Sequence, residues 1–209
     1  MMLELRDIGV EYDGKPFLRG VNLAVERGER VSLVGPSGSG KSTLLRVIAG
    51  IERPSTGEVI INGEDVTSTP PHLRQVGMVF QDNQLFPHLT VGDNVGYSLR
   101  VTRRRDRAEV VREMLDLVGL AGFTQRAVTS LSGGEQKRVA VARSLAANPT
   151  VLLLDEPLTG LDEALHDRLL DDLIALFDRR GTTVVHVTHD MAEAHRLSSR
   201  VIEISELVS

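Results

Sequence analysis

The chain has 209 residues, of which 41% are hydrophobic and 25% charged, a balance typical of one large soluble domain or two closely packed ones. A formal net charge of −5 and only 3% aromatic residues argue against nucleic acid as a partner. The absence of cysteine excludes disulfides and thiolate metal sites. Without a signal-peptide pattern or an apolar run of about 18 residues, we expect a cytoplasmic chain that reaches a membrane only through a partner.

The first stretch predicts antiparallel strands. Residues Leu3 to Ile8 and Phe17 to Val25 alternate apolar and polar side chains, and Asp13-Gly14 marks a turn between them. Tyr12 stands just before that turn, where an aromatic residue commonly covers the core.

A phosphate-binding loop is the most informative motif. GPSGSGKST matches G-x-x-x-x-G-K-[ST] and follows Val31 to Val34, a predicted buried strand. Glycines let the backbone wrap a polyphosphate, Lys41 offers a cation to the β and γ phosphates, and Ser42 offers a hydroxyl to Mg²⁺. The residues expected to hold phosphate are Gly35, Pro36, Ser37, Gly38, Ser39, Gly40, Lys41, Ser42 and Thr43. The alternative, a glycine-rich turn that binds nothing, is disfavoured because every fixed position is filled.

The segment after the loop predicts a helix and two strands. An apolar face runs from Thr43 to Ile51 at helical spacing, and Gly50 indicates where the helix ends. Short strands are expected at Glu58 to Ile61 and at Val76 to Phe80. Gln81 stands at the end of the second one.

From Gln84 to about Ala127 the pattern becomes helical and indicates an inserted helical subdomain. Helices are expected at Val91 to Leu99 and at Ala108 to Val118. Between them lies Arg103 to Arg107, RRRDR, a charge run typical of a solvated loop.

Ser132 begins the next helix. With Glu135 it forms the S-x-x-E pattern of a capping box, and Gly133 and Gly134 open the first turn. The helix N-terminus is a possible second anion site, although these residues alone do not say that it binds phosphate.

Two acidic residues follow the next predicted strand. Val151 to Leu154 is a short apolar run typical of a buried parallel strand, and Asp155 and Glu156 stand at its carboxyl end. Ligands collect at that edge of open α/β sheets, so this pair indicates Mg²⁺ binding and a base for water. The alternative is a solvated strand end.

The remaining chain predicts a helix at Leu161 to Phe177, a strand at Thr182 to Thr188, a helix at Met191 to Leu197 and a strand at Val201 to Ile204. Asp190 and Glu193 predict a second capping box. His189 follows the Thr182 to Thr188 strand and can reach a phosphate. His186 is expected to pack within the sheet, because strand residues three apart face opposite sides and cannot share a metal ion.

In this order the motifs resemble the nucleotide-binding subunit of ATP-binding cassette transporters. LSGGEQ at 131–136 is the most specific, with VLLLDEP at 151–157, LTGLD at 158–162 and VTHD at 187–190. The resemblance covers essentially the whole chain. It implies one α/β ATPase domain over 1–209, a phosphate-loop (RecA-like) core with a parallel sheet at 31–54, 71–83 and 148–209. An antiparallel β subdomain is expected at 1–30 and 55–70, and a helical subdomain at 84–147.

The resemblance also implies a role for each site residue. Tyr12 would stack on adenine, Gln81 would sense Mg²⁺ and the attacking water, and His189 would contact the γ phosphate. Asp155 would hold Mg²⁺ together with Ser42, and Glu156 would be the general base. Asp162 would belong to the loop that joins two subunits. The residues expected to close over ATP in a partner subunit are Ser132, Gly133, Gly134 and Gln136.

The partners implied are a second copy, arranged head to tail, and membrane permease subunits that dock near Gln81 to Val91 on the inner face of the membrane. A solute-binding protein is a further expected partner. The segment from 81 to 91 resembles that of importers of small polar solutes or ions, while Glu135 is also common in exporters and lipoprotein-extracting cassettes. We expect no regulatory domain and an incomplete hairpin after the last strand, because the chain stops at SELVS.

Two other classes fit less well. Cassette ATPases that act on DNA ends or ribosomes carry a long coiled coil or two cassettes, and this chain has neither. A regulator that binds nucleotide without turnover would lack the base that Glu156 provides.

Overall fold

A computed structural model describes residues 1–207 as an α/β protein. The strands are β1 Leu3–Tyr12, β2 Lys15–Val25, β3 Arg30–Val34, β4 Thr56–Ile61, β5 Glu64–Asp65, β6 Val76–Val79, β7 Val151–Asp155, β8 Thr183–Val187 and β9 Arg200–Glu203. The helices are α1 Lys41–Ala49, α2 Val91–Val95, α3 Tyr97–Val101, α4 Arg107–Leu117, α5 Gly133–Ala146, α6 Glu163–Arg180 and α7 Met191–Leu197. Within residues 1–207, none of these helices combines the length and apolar character needed to cross a bilayer. The hairpin expected after β9 falls partly on 208–209, outside the described residues.

The strands form two sheets, as the fold prediction required. One is an antiparallel sheet of order β2-β1-β4-β5, and the other has the order β6-β7-β8-β3-β9. In the second sheet β3 pairs in parallel with β8 and β9, and β7 pairs in parallel with β8. Strands β7 and β8 are buried along their whole length, which explains why β7 begins with the continuous apolar run Val151 to Leu154 rather than an alternating pattern.

Residue contacts divide the chain into two compact units. The first comprises Met1–Met78, Thr150–Glu156 and the residues from Leu176 onward, and it contains both sheets apart from the end of β6. The second comprises Val79–Pro149 and Pro157–Ala175, with α2 to α5 and most of α6. The finer division of the chain into three subdomains stays a prediction.

One predicted helix is wrong in extent, and one residue predicted to lie on an apolar helix face is exposed. The helix expected from Val91 to Leu99 is two helices, α2 and α3, separated at Gly96, a residue of low helix propensity. Helix α1 ends at Ala49, where Gly50 adopts the left-handed conformation with φ 78° and turns the chain. Ile51, predicted to lie on the apolar face, is therefore 50% exposed.

The interpretation of the whole RRRDR run as a solvated loop is wrong at its last residue. Arg104 pairs locally with Asp106, as expected of a loop. Arg107, however, begins α4 and forms an ion pair with Asp93 of α2. This hydrogen bond from Arg107 holds the pKa of Asp93 below its usual range.

The capping box predicted at the start of α7 forms only in part. The Asp190 side chain accepts hydrogen bonds from the N–H groups of Ala192 and Glu193, as predicted. The Asp190 N–H, which the box assigns to the Glu193 carboxylate, donates instead to Thr188 Oγ1. Glu193 is buried and accepts a hydrogen bond from the Thr188 hydroxyl, so its carboxylate forms a contact in the interior rather than at the helix terminus.

Arg74, which sequence reasoning did not single out, fixes the end of the helix that follows the phosphate loop. It is only 4% exposed, and its guanidinium donates hydrogen bonds to four backbone carbonyls. Two of these, Val47 and Ile48, belong to α1, and the others belong to Thr67 and Thr69. Arg74 therefore satisfies carbonyls that a helix C-terminus leaves without an intrahelical donor.

We predict that Arg74→Met destabilises the protein by about 2 kcal/mol, because it leaves the buried Ile48 carbonyl without the donor it has in the wild type and removes a donor from the carbonyls of Val47, Thr67 and Thr69. Urea unfolding followed by circular dichroism measures the change. Arg19→Met is the matched control, since Arg19 lies exposed on β2 and its loss should change the free energy of unfolding by less than about 0.5 kcal/mol. Equal stability of the two variants would contradict this role for Arg74.

Candidate functional site

The loop between β3 and α1 is shaped to accept an anion. Gly40, the residue before α1, has φ 95°, and a Cβ there would lie 2.6 Å from a methyl carbon of Leu18. Only glycine fits such a position without displacement. Helix α1 carries no side-chain cap and no acidic residue in its first turn, so no residue of α1 itself neutralises the positive dipole end beside the loop.

The side chain of Lys41 lies within this loop. Its Nζ donates to the carbonyl oxygens of Gly35 and Pro36, each at 2.8 Å, and the residue is 7% exposed. The loop thus brings an ammonium group next to the glycine-rich backbone, as phosphate binding requires.

Two oxygen ligands suited to Mg²⁺ meet beside the loop. Ser42 Oγ donates to Asp155 Oδ1 at 2.9 Å, although 113 residues separate them in the chain. Burial raises the pKa of Asp155, which is 3% exposed; the hydrogen bond from Ser42 opposes this shift, and the charge of Glu156 adds to it. A hydroxyl and a carboxylate are oxygen ligands of the kind Mg²⁺ prefers, so these residues fit the ion.

Glu156 and His189 form the exposed edge of this arrangement. Glu156 has φ 48°, an uncommon value for a residue with a side chain, and its N–H donates to Val187 O at 2.9 Å. The unusual backbone turns its carboxylate toward His189, whose Nδ1 lies 3.3 Å from Glu156 Oε1. The His189 side chain is 65% exposed, so it can meet a ligand.

Tyr12 lies at the end of β1 in the same unit. It is 41% exposed and its ring lies 5.3 Å from that of Phe17. The alternative in which Tyr12 covers the core is therefore wrong. An exposed aromatic face is consistent with the stacking role that the resemblance implies, which stays a prediction.

The other predicted site residues belong to the second unit. Ser132 begins α5 with the predicted capping box, in which its Oγ accepts from the Glu135 N–H while Glu135 Oε2 accepts from the Ser132 N–H. Gly133 and Gly134 form the first turn, and Gln136 Nε2 donates to Leu131 O. The side chain of Asp162 accepts from the Leu165 N–H near the start of α6. Gln81 follows β6 and lines a cavity of about 410 Å³.

Sequence reasoning missed Arg143 of α5. Its guanidinium donates to the carbonyls of Asn83 and Gln84 and lies 5.6 Å from the ring centre of Phe86. Burial lowers the pKa of Arg143. An arginine among the apolar residues of an otherwise buried helix was the available signal. Through these contacts Arg143 anchors the segment that follows Gln81.

Comparison with known proteins identifies this arrangement. A family model described as ABC transporter matches residues 18–159, more than half of the chain. The chain belongs to the ABC transporter family. The match includes the phosphate loop, the LSGGEQ motif and the acidic pair, and it ends before Asp162 and His189.

Named relatives within this family are import proteins. The chain is 50% identical over 207 residues to the spermidine/putrescine import ATP-binding protein PotA of Spiroplasma citri, covering 98% of this chain and 59% of the relative. It is 51% identical over 204 residues to the Fe(3+) ions import ATP-binding protein FbpC of Streptomyces avermitilis, covering 97% of this chain and 59% of the relative. The chain thus spans about 59% of the length of these relatives.

A solved structure supports the same fold. The ATP-binding cassette MJ0796, described as a dimer in a post-hydrolysis state bound to ADP and Pi, matches with a TM-score of 0.89 and 35% identity. The match covers 97% of this chain and 94% of that one.

We predict that Asp155→Asn stabilises the ABC protein at pH 7 when neither nucleotide nor Mg²⁺ is bound. Because burial raises the folded pKa of Asp155 above 3.8, the ionised carboxylate lowers stability at neutral pH. That cost disappears as the pH falls through the folded pKa. Differential scanning calorimetry at pH 7 should show the variant melting a few degrees above the wild type, with the gap closing on acidification.

Asp93→Asn is the control of opposite sign. The hydrogen bond from Arg107 lowers the pKa of Asp93, so the ionised carboxylate stabilises the protein at pH values above its ordinary pKa of 3.8. The uncharged amide introduced by Asp93→Asn loses that stabilisation. Equal destabilisation by both substitutions at pH 7 would contradict the account of Asp155.

Proposed function

We propose that this chain is the ATP-hydrolysing subunit of an ABC importer. The observation that carries the proposal is the convergence of the phosphate loop, the Ser42 to Asp155 hydrogen bond and the Glu156 to His189 contact at the ends of adjacent parallel strands. Phosphoryl transfer depends less on covalent chemistry from the protein than on charged groups placed around the γ phosphate. This edge of the sheet supplies such groups.

Each residue has a role in this mechanism. The backbone of Gly35 to Thr43 and the ammonium of Lys41 bind the β and γ phosphates. Glu156 accepts a proton from the attacking water, and His189 donates a hydrogen bond to the γ phosphate. Ser42 and Asp155 would hold Mg²⁺, which would neutralise charge on the phosphate oxygens when bound.

The second anion site is proposed to act in another subunit. The N-terminus of α5, opened by Ser132, Gly133 and Gly134, would close over ATP held by a second copy of the chain, with Gln136 behind it. The matched MJ0796 cassettes are described as dimers, which supports pairing of two copies. The head-to-tail arrangement is part of the proposal. A site divided between two chains makes hydrolysis depend on closure.

The direction and class of transport follow the relatives. PotA and FbpC are named for the import of spermidine, putrescine and Fe(3+), which supports import of a small polar or ionic solute over export or lipoprotein extraction. We propose that permease subunits dock near Gln81 to Val91 on the cytoplasmic side of the membrane and that a solute-binding protein delivers the solute.

We predict that Glu156→Gln lowers ATP turnover at least about a hundredfold while ATP still binds, because the amide cannot take the proton from water. Phosphate release measures turnover, and equilibrium binding of a fluorescent ATP analogue measures affinity. Lys41→Ala is the matched contrast and should weaken binding itself. Wild-type protein without measurable ATPase activity, or near-normal turnover in Glu156→Gln, would contradict the proposal.

The divided site predicts an unusual result for Ser132→Arg. In mixed dimers that contain one Ser132→Arg chain and one Lys41→Ala chain, the altered α5 faces the altered phosphate loop, so the second composite site is complete and the dimer should keep part of the activity. In dimers that carry both substitutions in one chain and none in the other, each composite site contains one change, so turnover should be nearly abolished. Tandem purification through two different tags isolates each dimer, and equal activity of the two would refute the division.

A further inference from the structure

A buried polar cluster lies behind the site, formed by Ser32, His186, Thr188 and Glu193. All four are at most 4% exposed. Ser32 Oγ lies 3.0 Å from His186 Nδ1, and His186 Nε2 lies 3.1 Å from Glu193 Oε1. The Thr188 hydroxyl donates to the other oxygen of Glu193 at 3.1 Å.

The members of this polar cluster come from three elements. Ser32 on β3 is directly opposite His186 on the neighbouring strand β8. Thr188 follows the end of β8, and Glu193 lies in the first turn of α7. The cluster therefore ties the strand that leads into the phosphate loop to the turn between β8 and α7.

That turn carries His189. On one side, the Thr188 N–H donates to Leu33 O on β3, and on the other the Asp190 N–H donates to Thr188 Oγ1. Asp190 in turn caps α7. The two neighbours of His189 are thus anchored to the cluster, while its own side chain extends outward to Glu156 at 3.3 Å.

The cluster does not act on a substrate itself. Serine, histidine and a carboxylate in this spatial order resemble a hydrolase triad, but Ser32 and His186 are both 0% exposed, so no substrate reaches the hydroxyl. Stability alone is also a poor explanation, since apolar residues of similar volume often replace a buried ionisable pair at no loss.

We propose that the polar cluster is a positioning network that holds the turn from Thr188 to Asp190, and through it the imidazole of His189, against Glu156. Glu193 is its central residue, because its carboxylate meets both Thr188 and His186. The inference rests on the proposed function only in assigning His189 to the γ phosphate.

The double variant His186→Phe/Glu193→Leu separates positioning from stability. It replaces the buried pair with apolar side chains, so we expect the melting temperature to stay near that of the wild type. The Thr188 hydroxyl loses its acceptor, so kcat should fall about ten- to hundredfold while KM for ATP changes less than twofold. Thr188→Val, which keeps the side-chain shape, should show the same pattern even if the double variant does not fold.

A structural readout accompanies the kinetics. In nucleotide-free protein with isotope-labelled histidine, the His189 signal, assigned through His189→Gln, should shift or broaden in both network variants. Asp178→Asn makes the same kind of carboxylate loss in the surface ion pair with Arg30 and should alter neither the signal nor kcat.

The inference is overturned if the folded network variants keep wild-type kcat, or if kcat falls while the His189 signal is unchanged. If wild-type protein hydrolyses no ATP, the proposed function fails, and the His189 signal alone then decides the inference: movement in the network variants supports it and an unchanged signal refutes it.

Discussion

The parallel pairing of β3, β8 and β7 is the constraint on which the candidate site depends. Parallel strands end at the same edge of a sheet, so the segments that follow these three strands meet there, although the loop after β3 lies more than a hundred residues before the other two in the sequence. The loop after β3 is the proposed phosphate-binding element, the end of β7 supplies two carboxylates, and the turn after β8 supplies an imidazole. The site needs no further scaffold, because strands with fully buried side chains fix the relative positions of their ends.

The residues at this edge are placed at a cost to stability. Asp155 is buried with a raised pKa, and Glu156 holds a backbone conformation that residues with side chains rarely adopt. The apolar core offsets these costs. Burial of one large aliphatic side chain contributes about 1.5–3 kcal/mol, and the core of this unit contains many of them. Residues in unfavourable conformations or environments, next to a well-packed core, are expected at a site that binds a ligand.

Much of the fold and site could be predicted from sequence because the signals were local. The glycine spacing of the phosphate loop, the apolar run before Asp155 and the capping box at Ser132 each depend on neighbouring residues. The misses depend on contacts that form only in the folded chain. Glu193 has the sequence position of a capping residue, yet it lies in the interior, where it accepts a hydrogen bond from the Thr188 hydroxyl and lies 3.1 Å from His186 Nε2. The four carbonyls that hold Arg74 likewise become neighbours only when the chain is folded.

Amide hydrogen exchange of the wild-type protein, with and without ATP and Mg²⁺, tests the central claim most directly. If the edge of the parallel sheet binds nucleotide, exchange should slow by at least about tenfold in the loop from Gly35 to Thr43, and the slowing should be weaker when Mg²⁺ is chelated. Unchanged exchange in this loop, with protection appearing elsewhere in the chain, would contradict the account.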